Sequence, residues 1–111
     1  MSELAELQTH LKLLKQQVEL KNQTERLLAN PDFKAVIEEG YCKAEMQRNM
    51  GLAVCEKLTP ETRELCNQLA KASAALNNYI DTTLQIGRNA EEDINAVEER
   101  IQELMVNEED E

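Results

Sequence analysis

Leu4, Leu7, Leu11, Leu14 and Val18 recur at alternating intervals of three and four residues. That is a repeat of 3.5, the seam of a helix that packs lengthwise on another helix. The alternation returns near the other end as Ile94, Val97, Ile101 and Leu104. In the first seam the next two positions are Lys21 and Glu25, so its register is expected to break there. Leu20, Leu27 and Leu28 are then expected to shift the apolar face. With 111 residues, 3% aromatic and only five Gly plus Pro, the chain has too few turn formers for a many-stranded fold. The expected class is all-α.

Two capped joints divide the chain. Asn30-Pro31-Asp32 combines an N-cap residue, a proline suited to the first helical position and an acid at the positive end of the helix dipole. Thr59-Pro60-Glu61 repeats that logic. The helix from Pro31 reads Phe33, Val36, Ile37, Gly40, Tyr41 and Ala44, then Leu52, Val54, Cys55 and Leu58. The helix after Pro60 reads Leu65, Cys66, Leu69, Ala72, Leu76, Tyr79, Ile80, Thr83 and Leu84. Gly87 is expected to end or kink it, and Gly51 to loosen the helix before it.

Thr59 lies 28 residues after Pro31, and Gly87 lies 28 residues after Thr59. An antiparallel hairpin with its apex at Thr59 would give arms of about 40 Å. Tyr41 would then lie opposite Asn77, near Tyr79, with Gly40 as the notch that admits the rings and Phe33 as a second anchor. The expected organisation is an N-terminal amphipathic or coiled-coil helix at 1–29 and a central helical hairpin at 30–87. A C-terminal coiled-coil-like helix at 88–106 and an acidic disordered tail at 107–111 follow. The outer helices either continue together as a second antiparallel section or fold back into a bundle, giving three to four helices, elongated or compact. So little apolar area calls for contacts beyond the central pair. The seams at 4–18 and 94–104 are therefore candidate partner-binding surfaces, with packing inside the chain as the alternative.

Reactive chemistry is sparse. His10 is the single histidine and reads as a surface or boundary residue. Cys42, Cys55 and Cys66 are odd in number, form no CxxC pair and read as small buried hydrophobes. No phosphate loop, HExxH or calcium-loop spacing is present. These patterns lead to the expectation of no catalytic residue, no metal and no cofactor. No apolar run approaches the ~18 residues of a membrane span. The N-terminus lacks a secretory pattern, so a cytoplasmic location is expected.

The net charge of −10 is concentrated at one end. Residues 1–58 sum to −1 and residues 59–89 to zero, whereas residues 90–111 carry Arg100 against ten acids. Without a basic stripe, direct nucleic-acid binding is not expected. Glu91, Glu92, Asp93, Glu98 and Glu99 form a candidate acidic surface, either solubilising or complementary to a basic host protein.

The string Leu27-Leu28-Ala29-Asn30-Pro31-Asp32-Phe33-Lys34, with Ile37, Gly40-Tyr41 and Glu45, resembles a family of small, largely uncharacterised tailed-bacteriophage proteins. Leu76-Asn77-Asn78-Tyr79-Ile80-Asp81 is similar to an aromatic segment of the same group. The likeness spans about residues 27–86; both ends belong to this chain alone. It implies a virion-associated or assembly role as a scaffold, chaperone or minor head component. The corresponding location is the host cytoplasm or the virion. The implied partners are further copies or phage structural proteins. The alternative expectation is an acidic inhibitor or mimic that binds a basic host nucleic-acid-binding or defence protein.

Overall fold

A computed structural model describes residues 2–109, and side chains through residue 107. Helix α1 covers Glu3–Leu28. After the Asn30 joint, α2 at Pro31–Phe33, a π-helix at Lys34–Glu45 and α3 at Met46–Ala53 follow one another without a gap. Residues 54–59 reverse the chain, and α4 runs from Pro60 to Glu109. The fold is all-α, a helical hairpin with flanking helices, and the described residues contain no strand. They form two compact units: Met1–Thr24 with Thr83–Glu111, and Glu25–Thr82.

Both joints are built by local chemistry. Asn30 Oδ1 accepts from the backbone N–H of Asp32 at 2.9 Å and of Phe33 at 3.1 Å. Two donors that a helix start leaves unpaired are thereby satisfied. At α4 the Thr62 N–H donates to Thr59 Oγ1 at 3.2 Å, with Pro60 at the first helical position.

Several expectations are corrected. Gly87 neither ends nor kinks its helix, because α4 is continuous through it. A side chain at that position would overlap the stem of Lys21, so glycine is retained there for contact between helices. The disordered tail expected from Asn107 is corrected through Glu109, where α4 is still helical; Asp110 and Glu111 lie outside the described residues. The helix from Pro31 stops at Ala53 rather than continuing to Leu58. Gly51, two residues before that end, faces open space. The fold point therefore moves from Thr59 into the segment 54–59, between the end of α3 at Ala53 and the start of α4 at Pro60.

Gly40 is not a notch for aromatic rings. A Cβ there would meet the Ala35 carbonyl oxygen of its own coil at 3.1 Å. Its neighbour is the wider π winding, in which bonds run five residues back. Tyr79 is 59% exposed and does not anchor the core, while Phe33 and Tyr41 are half-buried.

Candidate interaction surface

In the first unit, the two apolar seams face each other. Lys21 packs over Gly87, where an added Cβ would lie 2.7 Å from Lys21 Cγ and 2.8 Å from Cδ. That contact sets an antiparallel register. Stepping outward from it, both helices take steps of three, four, three, four and three. Val18 falls level with Ala90, Leu14 with Ile94, Leu11 with Val97, Leu7 with Ile101 and Leu4 with Leu104. Leu14 and Ala90 are buried, at 4% and 1% exposure, and the remaining seam residues are half-buried. The surfaces expected to bind a partner are thus occupied by one another, because their 3.5 repeats mirror each other. The expected break at Lys21 is likewise corrected: Lys21 is buried in the seam, and Leu20 and Leu27 face outward.

Charge pairs line the edges of this seam. Lys21 Nζ lies 2.5 Å from Glu91 Oε1, with its methylene stem over Gly87 and its ammonium at the rim. Lys15 and Glu98 are 3.9 Å apart. Arg100 donates to Glu3 from Nε at 3.0 Å and to Glu103 from Nη1 at 3.1 Å. Glu3 and then Glu103 hold the Arg100 guanidinium above its ordinary pKa. Two of the five expected acidic-surface residues, Glu91 and Glu98, therefore have internal partners. Glu92, Asp93 and Glu99 are exposed.

The second unit has an interior of different composition, with Phe33, Ile37, Tyr41, Leu52 and Ile80 half-buried. Its buried side chains are Cys42, Asn49, Cys66, Ala70 and Ser73, all small or polar. Asn49 Nδ2 donates to the Glu45 carbonyl oxygen and to Glu45 Oε1, both at 3.1 Å. Arg48 donates to the same carboxylate and, with Asn49, holds Glu45 below the usual carboxylate range. Ser73 Oγ donates to the Leu69 carbonyl at 3.4 Å. Burial, reinforced by Glu38, pushes the Cys42 thiol up, which makes it a poor nucleophile. The three cysteines are free thiols, and Cys55 is only half-buried.

Some large apolar groups lie outside in this unit. Leu65 is 55% exposed and Leu69 44%, while Val36, Met50 and Val54 are also open to solvent. On α4 the exposed or half-buried set is Leu65, Leu69, Ala72, Leu76 and Tyr79, again at steps of four and three. In the stripe one residue further on, Cys66, Ala70 and Ser73 are buried, and Asn77 and Ile80 are half-buried as Leu76 is. The strongest apolar pattern in this part of the sequence is therefore the one left outside. The signal that could have distinguished the stripes is size: small side chains let two helix backbones come close.

Among the described residues there is no cluster of three metal-ligating side chains. His10 is exposed. An open depression of about 620 Å³ is lined by Glu99, Gln102, Glu103, Val106 and Asn107 of α4. No helix among the described residues is long and apolar enough to cross a membrane. Comparison with protein-family models, with curated proteins and with solved structures produced no match.

Proposed function

We propose that this chain is a non-enzymatic helical protein of a tailed bacteriophage, acting in virion structure or assembly through helix–helix contacts. The observation that carries this reading is the apolar stripe of α4 in the second unit, with Leu65, Leu69 and Tyr79 exposed while Cys66, Ala70 and Ser73 are buried. Exposed apolar groups aligned along a rigid helix are the working surface of a protein that binds other proteins. The NPDFK–GY resemblance supplies the phage context. Self-association and docking on a phage structural protein are both consistent with such a surface, in the host cytoplasm or the virion.

The acidic-inhibitor reading has Glu92, Asp93 and Glu99 in its favour, but Glu91 and Glu98 are engaged by Lys21 and Lys15. Sedimentation of proheads and finished virions from infected cells, followed by immunoblotting for this chain, tests the assembly role. Co-migration with either particle at a fixed copy number is the expected result. Absence from both, together with salt-sensitive capture of one basic host protein that is lost on Glu92→Gln, Asp93→Asn and Glu99→Gln, would contradict it.

A further inference from the structure

We infer that Lys21 and Gly87 form a register lock, a knob and a notch that hold α1 at one of two alignments on α4 that the apolar seams would accept. The lock works through shape rather than charge. It is independent of what the chain binds and so goes beyond the proposed function.

The need for a lock lies in the seams. Their spacing repeats every seven residues, so moving α1 outward by one heptad, about 10 Å, brings apolar residues level again. Val18 then lies level with Val97, Leu14 with Ile101 and Leu11 with Leu104. The end of α1 does not forbid that step. Glu25, Arg26, Leu27, Ala29 and Asn30 are all exposed, so the last turn has little burial to lose. The slip would carry Leu4 and Leu7 past Leu104 into the acidic end. Slipping the other way would uncover Ile101 and Leu104.

Charge does not choose between the two alignments. Lys21 pairs with Glu91, four residues after Gly87. One heptad on, position 94 is again followed four residues later by a carboxylate, Glu98. A slipped Lys21 would meet the same kind of partner. The other pairs across the seam, Lys15 with Glu98 and Arg100 with Glu3, are exposed on both sides. Such pairs contribute little.

The glycine is what fails to repeat. Gly87 is the single glycine of α4, and positions 94 and 101 are isoleucines. At Gly87 the Lys21 stem fills the place of a missing side chain and is 8% exposed, with its ammonium at the rim. Against Ile94 the same stem would meet a branched side chain, and an ammonium displaced into an apolar contact is costly. The native alignment brings four pairs of large apolar residues level: Leu14–Ile94, Leu11–Val97, Leu7–Ile101 and Leu4–Leu104. A leucine at position 21 would give the slipped alignment four as well, whereas lysine leaves it three. A polar residue in a seam thus selects one register where apolar residues alone would not.

Methyl NOE spectroscopy of the full chain in reductant reads the register, and circular dichroism verifies that each variant is helical. The native chain is expected to show Leu11–Val97 and Leu14–Ile94 contacts without Leu11–Leu104 or Leu14–Ile101. In Lys21→Leu the second set should appear beside the first. Moving the notch by one heptad, Gly87→Leu with Ile94→Gly, should replace Leu11–Val97 by Leu11–Leu104. Glu91→Gln should keep the native contacts alone. Slipped contacts in the native chain overturn the inference, and so does a Lys21→Leu variant that shows only the native set. A helical moved-notch variant that keeps Leu11–Val97 overturns it too. Slipped contacts in Glu91→Gln would show that charge, not shape, holds the register.

Discussion

The two units use one helix, α4, differently. In the first, Ile94, Val97, Ile101 and Leu104 face α1, and the apolar seam is satisfied within the chain. In the second, α4 turns Cys66, Ala70 and Ser73 inward and leaves Leu65, Leu69 and Tyr79 outside. A heptad seam thus marks a surface that needs a helix but does not specify whose helix. Intramolecular pairing follows where two seams in one chain mirror each other in spacing. Where small residues already bring the backbones together, the larger apolar stripe is left for something else.

The largest expected effect separates two leucines. Leu14→Ala removes a buried side chain of the first unit and should cost about 3 kcal/mol in urea unfolding followed by circular dichroism. Leu69→Ala should cost less than about 1 kcal/mol at dilutions where the chain is monomeric. Equal costs at the two sites would erase the distinction between the units.

Gly87→Ala comes next. Helix propensity alone favours alanine by about 1 kcal/mol. The overlap with the Lys21 stem should instead make the change destabilising by about 2 kcal/mol, since a Cβ on a helix backbone cannot yield as the end of a side chain can. A gain in melting temperature would show that Lys21 does not fill this position.

Smaller effects probe the interior of the second unit. Cys42 is buried and its thiol pKa is raised, whereas Cys55 is half-buried. Iodoacetamide at pH 8 should label Cys55 well before Cys42, as read by peptide mass spectrometry. The smallest effect concerns Glu45, whose carboxyl is held low mainly by Arg48. A lowered folded pKa adds stability above the unfolded value, and that contribution is lost as the pH falls through the folded pKa. The stability difference between the native chain and Glu45→Gln should therefore be present at pH 7 and vanish towards pH 3. A difference independent of pH would remove the carboxylate from the account.

Much of the backbone could be read from particular residues. Asn30-Pro31-Asp32 and Thr59-Pro60-Glu61 stand at helix starts because caps are local, short-range chemistry. The seams at 4–18 and 94–104 are where helices pair because their spacing encodes a face. Lys21 was harder to read: a charged residue in a seam looks like a break until Gly87 on the opposite helix is seen to admit its stem. The π winding at Lys34–Glu45 also blurs the inner face: only Cys42 is buried there, and half-buried residues spread over Ile37, Glu38, Gly40, Tyr41 and Glu45. Tyr79 is ambiguous from spacing alone for a related reason. Two adjacent stripes on α4 both carry heptad spacing, and only the size of their residues separates them.

Oxidative footprinting at rising protein concentration tests the contrast between the units most directly. Leu14 and Ile94 should be protected equally at 1 and 100 µM, while Leu65, Leu69 and Tyr79 should be reactive at 1 µM. Protection of Leu14 and Ile94 that appears only at high concentration, or protection of Leu69 and Tyr79 already at 1 µM, would contradict the account.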